Sequence, residues 1–322
     1  MLGIAAAAGS LAAQGELAAS CGVLSAGLST QCAALGQAAA VAQPRIGLAA
    51  AGGNPLAGSS STLGMRIGST PRVAAALRLT GVHATLPAQD ATLSGTARPD
   101  ASSLALGLSG DVVVGLLAGS SPAPTVGGVG SLDLVGSLGV LPSAGSGFHS
   151  HPWTAGAGLR LGVLRESFTA PGITLSGMYR RTGAALWGTR SAVVPPSYLG
   201  SFRLGSTSDW SFRGVVGKRL FSIATSVGAG VDRYSNDTQL AWSCPMNAGC
   251  IGPATFDVTA PLKQTRANLF ADLTWTSLVF TGTAELGWLR GGSPATVTPA
   301  TGYEDLVRKS AVFGSLALRL TI

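Results

Sequence analysis

The fourteen residues that close the chain, KSAVFGSLALRLTI, restrict its fold more than any other stretch. Val312, Gly314, Leu316, Leu318, Leu320 and Ile322 fall on one face of an extended strand; Ala311, Ser315, Arg319 and Thr321 fall on the other. Side chains alternate along a strand with period two, so one face is continuously apolar and the other carries a cation. In a soluble sandwich the apolar face meets a core. In a membrane barrel it meets lipid, and the polar face meets a lumen.

Composition and repetition separate the two. Of 322 residues 46% are hydrophobic and only 11% charged, against about 25% charged in ordinary soluble domains. Mean hydropathy is +0.38, yet past the first residues no apolar run reaches the ~18 residues of a helical span. An apolar chain without apolar runs suits a lipid-facing sheet, and abundant glycine keeps the inward face small enough for a wall to curve. The net charge of +7 would suit nucleic acid. The arginines, however, stand singly along strands rather than in a patch with stacking aromatics, which argues against a nucleic-acid partner.

The alternation of the last strand recurs along the chain. Segments 45–52 and 62–68 (Leu63, Met65 and Ile67 opposite Arg66) are read as the first strands. Segment 72–84 sets Leu77 and Leu79 against Arg78, and 104–118 sets Leu108 and Val112 against Asp111. Segment 125–141 sets Leu134 and Leu138 against Asp133, 153–165 sets Leu159 and Leu161 against Arg160, and 173–182 sets Leu175 against Arg180. Segment 209–217 opposes Phe212 to Arg213, 220–234 opposes Val231 to Asp232, and 264–276 opposes Leu269 and Leu273 to Arg266 and Asp272. Segment 279–290, less certain in phase, opposes Leu286 to Glu285. With the last strand, the reading is all-β: a transmembrane antiparallel up-and-down barrel of about 12 strands behind a short N-terminal helical segment.

Connections support it. Segments 53–61, 85–103, 142–152, 183–208, 235–263 and 291–308 are long; 69–71, 119–124, 166–172, 218–219 and 277–278 are short, and the two kinds alternate. Outer-membrane barrels have short periplasmic turns and long external loops, so both termini are expected in the periplasm. Trp153, Tyr179, Trp210 and Trp288 then fall at the outer interface and Trp275, Phe221 and Phe280 at the inner one, the two levels that amphipathic rings favour.

Ahead of the strands, residues 1–14 are apolar and small, like a secretory signal without its basic leader. Residues 15–43 are Ala-rich and helix-compatible, with Pro44 expected to end the helix. This segment is expected in the periplasm or as a plug, with the barrel domain spanning 44–322. The four cysteines allow three pairings. Near-neighbour disulfides, Cys21–Cys32 and Cys244–Cys250, fit an oxidising compartment. No histidine lies beside either pair, which disfavours zinc.

The secretory-like start, the alternating strands and the LALRLTI ending together resemble a Gram-negative outer-membrane β-barrel protein over residues 45–322. The resemblance implies an outer-membrane location, a lipid annulus and the barrel-assembly machinery as a partner during biogenesis. That class favours a terminal aromatic, where this chain has Ile322. Outer-membrane phospholipase A, a barrel enzyme of that class, sets His and Ser two apart on one strand face. Here Ser150 is adjacent to His149 and His151, and His83 is followed two later by Thr85, so no catalytic residue is assigned. No cofactor or metal site is expected either.

What remains is the inward face. It carries Arg66, Arg78, Arg160, Arg180, Arg213, Arg266 and Arg319 against Asp111, Asp133, Asp232, Asp272 and Glu285. Charges inside a membrane protein face a water-filled cavity or one another. The expectation is a passive or ligand-selective channel for small solutes with a mildly cationic lumen. The alternative is a non-conducting surface barrel whose long loops bind partners, and a lesser one a barrel-embedded lipid hydrolase.

Overall fold

A computed structural model describes residues 19–24, 26–65, 70–87, 99–121, 127–145, 147–188, 199–244, 254–292 and 304–321. Ten antiparallel strands close a barrel: β1 (Val73–Pro87), β2 (Pro99–Leu117), β3 (Ser131–Ser143), β4 (Trp153–Leu164), β5 (Gly172–Thr182), β8 (Thr207–Leu220), β9 (Ile223–Cys244), β10 (Ala254–Ser277), β11 (Phe280–Leu289) and β12 (Ala311–Thr321). The seam is the pairing of the first and last strands, Ala74 opposite Thr321 through to His83 opposite Val312. Two short strands, β6 (Ala185–Gly188) and β7 (Leu199–Leu204), are extra: β7 pairs with the far end of β9 and β6 with β7. β9 and β10 run for 22 and 24 residues, where about 9–11 cross a bilayer. Their surplus, with β6 and β7, raises the wall on the long-loop side.

The alternation of burial follows the alternation of chemistry. On β3, Ser131, Asp133, Val135 and Ser137 are buried inward while Leu134 and Leu138 face out, Leu138 at 70% exposure. Outward leucines and valines recur on every long strand. A wall this apolar is stable only against hydrocarbon, so the barrel spans a membrane with lipid as its outer layer.

The expected strand 45–52 is absent and the described part of another, 62–65, forms none; both lie in the segment that fills the lumen. The helix does not stop at Pro44: α1 runs Ala26–Ala51 with that proline inside it, so 45–52 is helix rather than strand. Of 62–68, residues 62–65 form no strand beyond a single bridge from Met65 to Pro71, and Arg66 lies outside the described residues. Segment 53–61 is correspondingly not an external loop. The short turns are also displaced: residues 221–222 join β8 to β9 and 278–279 join β10 to β11.

Every residue from 32 to 58 is buried, and α1 packs against β1, β2, β3, β5, β7, β8, β9 and β10, that is, against opposite sides of the wall. Sequence explains the fit. Eight-stranded barrels fill their interiors with side chains alone; ten strands leave room for a slender rod. In the stretch CAALGQAAAVAQPRIGLAAA more than half the residues are Ala or Gly, which makes a thin helix, and Ala is the best helix former. Contact is close enough that a Cβ on Gly107 of β2 would strike the Ala49 carbonyl, and one on Gly47 would strike the Tyr234 ring.

At its long-loop end the rod is held by a disulfide, Cys21–Cys32, buried in an apolar cap with Trp187, Phe202, Trp242 and Leu306. Leu306 belongs to α2 (Glu304–Arg308). Cys250 of the second expected pair lies outside the described residues. At the other end Gly52 adopts φ 65° and donates its N–H to Leu48 O at 2.8 Å, the left-handed closure that glycine supplies most readily.

Candidate functional site in the lumen

Proline inside a helix removes one donor and leaves the carbonyl four residues earlier without a partner. For Pro44 that carbonyl is Ala40 O, and Nε2 of Gln264, reaching in from β10, donates to it at 2.9 Å. The same amide donates to Gln43 Oε1 at 2.9 Å. Gln43 Nε2 in turn donates to Asn236 Oδ1 at 3.0 Å and Leu262 O at 2.9 Å, and Arg266 donates to Gln264 Oε1. Neutral amides of the wall thus repair the one defect in the rod.

Below Gly52 the chain is irregular, and its backbone has few internal partners, among them Ser59 N–H to Leu56 O at 3.0 Å and Leu56 N–H to Asn54 Oδ1 at 3.3 Å. The wall supplies others. Glu285 accepts the N–H of Gly53 at 2.9 Å and of Asn54 at 2.7 Å. Asp272 accepts Nδ2 of Asn54 and Oγ of Ser226, each at 2.7 Å. Asp133 accepts the N–H of Leu63 at 2.9 Å and of Gly64 at 3.3 Å. The arginines take the carbonyls. Arg78 donates to Ala51 O and Pro55 O, each at 3.3 Å; Arg213 to Gly53 O at 3.0 Å; Arg319 to Ala57 O at 3.1 Å; Arg160 to Ser59 O at 3.2 Å.

The same charges pair along the wall: Arg78 with Asp111 and Arg160 with Asp133 at 3.3 Å, Arg180 with Asp209 at 3.5 Å, and Arg213 with Asp232 at 2.5 Å. Asp232 also accepts from Tyr234 at 3.1 Å and Asn268 at 2.7 Å. Buried ion pairs persist when further hydrogen bonds satisfy both partners, and here the inserted chain provides many of those bonds. Chemically the lumen is a receptor for peptide backbone, with guanidinium donors for carbonyls and carboxylates for amides.

Of the inward residues expected from parity, all but Arg66 are described and buried in the wall. Asp209 joins them; it was missed although it precedes Ser211 and Arg213 on the inward row of β8. The described wall therefore carries six buried arginines and six buried carboxylates rather than a cationic excess, and α1 adds Arg45, whose NH1 donates to Thr85 O at 2.9 Å. Gln264, Asn236 and Tyr234 were also unassigned, although they sit on the inward rows that hold Arg266 and Asp232.

Trp153, Tyr179, Trp210, Trp288, Trp275 and Phe280 are exposed on the outer wall; Phe221 lies in a turn rather than a strand. His149 uses its backbone N–H on Leu186 O, and no metal-binding cluster occurs among the described residues. His83 Nε2 and Ser102 Oγ lie 3.0 Å apart on the outer wall, a pair formed across two strands and not along one.

No protein-family model and no curated protein sequence matches the chain. Solved structures similar to it include the translocator domain of the autotransporter NalP from Neisseria meningitidis, at 11% identity and TM-score 0.35 over 78% of this chain and 88% of that one. The β domain of the Bordetella autotransporter BrkA gives 10% identity and TM-score 0.40 over 77% and 98%, respectively. The outer-membrane protease OmpT from Escherichia coli gives 10% identity and TM-score 0.38 over 82% and 100%. Likeness at this level concerns the barrel fold alone and carries nothing about activity.

Proposed function

We propose that this protein is an outer-membrane barrel that anchors its own N-terminal segment, threaded through the lumen, and is closed to solutes in that state. The reading rests on one observation: wall side chains hydrogen-bond the backbone of the inserted segment from Ala51 to Gly64. A solute pore gains nothing from carboxylates and guanidiniums directed at a peptide. The segment enters from the long-loop end and leaves at the turn end, where β1 begins. With long loops outside the cell, the chain ahead of α1 is presented at the surface while both strand termini face the periplasm.

Planar bilayers test the closure. The full chain is expected to be silent, and a variant lacking residues 1–64 to give discrete current steps; equal currents from both would overturn the reading. Threading has its own test. Protease added to intact cells is expected to remove a tag fused ahead of residue 19 and to spare one fused after Ile322.

Solute passage is a second reading, favoured by the many polar and charged side chains on the inward face. It requires the segment to leave the lumen. With the wall charges balanced, the opened pore is expected to select weakly between anions and cations.

A further inference from the structure

The turn-side mouth of the barrel is built unlike the rest of the surface. Two of its turns have two residues each, since Leu220 pairs with Ile223 and Ser277 with Phe280. Such turns favour Asn and Gly because their first residues take positive φ. Here those positions are Phe221, at φ 57°, and Leu278, at φ 53°. No other non-glycine residue described has positive φ, and a bulky side chain there is a genuine outlier. Strain of this kind persists where something else selects the side chain.

Neither side chain packs on its own protein: Phe221 is 99% exposed, Leu278 97%, and Phe168 of the neighbouring turn 98%. Nor do they simply join the lipid-facing belt. All three line a bowl of about 680 Å³ in the mouth, together with Arg319 and the end of the inserted segment at Ser61 and Thr62. Arg219 continues the inward row of β8, and Phe221 and Leu278, in the turns beside it, line the same bowl.

Arg72, Arg165 and Arg219 also line the bowl, and Glu166 is the one carboxylate among its described lining residues. Glu166 is already engaged by the backbone N–H of Arg219. Arg72 and Arg219 are exposed. A cationic bowl with apolar tips matches the composition of protein interfaces, where aromatics and Arg dominate. Guanidinium forks fit carboxylates bidentately.

We propose that this mouth docks an acidic polypeptide segment of a separate protein, one that alternates carboxylates with apolar side chains. Arg72 and Arg219 take the carboxylates; Phe221 and Leu278 take the apolar groups.

The test uses the full chain in detergent and three probes: a fluorescent peptide alternating Glu with Phe and Leu, its counterpart with Lys for Glu, and polygalacturonate as an anionic glycan. The acidic peptide is expected to bind at least about tenfold more tightly than the other two. The double variant Arg72→Glu, Arg219→Glu is expected to weaken it about tenfold or more. Phe221→Asn with Leu278→Asn separates docking from folding. Asn accepts positive φ, so this variant is expected to unfold no more easily than the parent yet to lose about fivefold or more in affinity. Equal binding of both peptides, tighter binding of the glycan, or parental affinity in the Asn variant would each overturn the proposal.

Discussion

The inserted chain meets two different walls inside one barrel. Between Cys32 and Ala51 it is helical, and the side chains around it are mostly apolar or neutral: Val82, Leu141, Phe313, Leu262, Tyr234, Gln264; Arg266 reaches only Gln264, and Arg78 only the helix's last carbonyl, Ala51 O. Between Gly52 and Gly64 it is irregular, and the partners are Arg78, Arg213, Arg319, Arg160, Glu285, Asp272 and Asp133. A helix satisfies its own peptide groups and asks its container only for shape. An irregular strand of backbone in a dry space must have every N–H and C=O met from outside. The placement of charge in the wall thus follows the backbone state of what it contains.

Asp133→Ala is the most severe way to challenge this contrast. It orphans the amides of Leu63 and Gly64 and leaves Arg160 buried without its partner, at an expected cost of ~3–5 kcal/mol. Urea unfolding in detergent measures it; a loss under about 1 kcal/mol would mean that the lower contacts are incidental. Next comes the helical level, where Gln264→Leu strips Ala40 O of its donor and is expected to cost ~1–3 kcal/mol. Pro44→Ala restores that donor, so in the double variant the Gln264→Leu penalty should shrink by about 1 kcal/mol, a coupling that a mutant cycle reads directly. The smallest effect is Ser315→Ala. Ser315 Oγ donates to Glu285 at 2.9 Å without touching the inserted chain, and its loss should cost only ~0.5–1.5 kcal/mol.

Much of this was legible. The ten barrel strands and their alternating faces follow from period-two alternation, which a membrane wall enforces at nearly every residue; the inward row of β8 also holds Asp209, which that reading passed over. Of the two segments read as strands ahead of β1, 45–52 is weakly patterned, whereas TLGMRIG alternates as well as any true strand. The alternation of long and short connections did not expose them, because removing two strands leaves parity unchanged. Pro44 misled in the other direction. Proline ends a helix in water, but here Gln264, more than two hundred residues away in sequence, offers the missing partner. A plug formed by 15–43 was one of two placements left open by the sequence; that 44–64 follow it into the lumen was hidden, since wall charges that bind peptide groups recognise what every residue possesses and leave no motif behind.

The junction of Pro44 and Gln264 has a mechanical consequence. Where the rod is alanine it is smooth, and those stretches tell one depth from another poorly. Sliding it by one residue moves it about 1.5 Å along its axis and turns it by about 100°. The unmet carbonyl would then swing away from the amide placed to receive it. This notch, together with Arg45 on Thr85 O and Gly47 under the Tyr234 ring, sets how far the rod is seated, as a detent fixes a bolt.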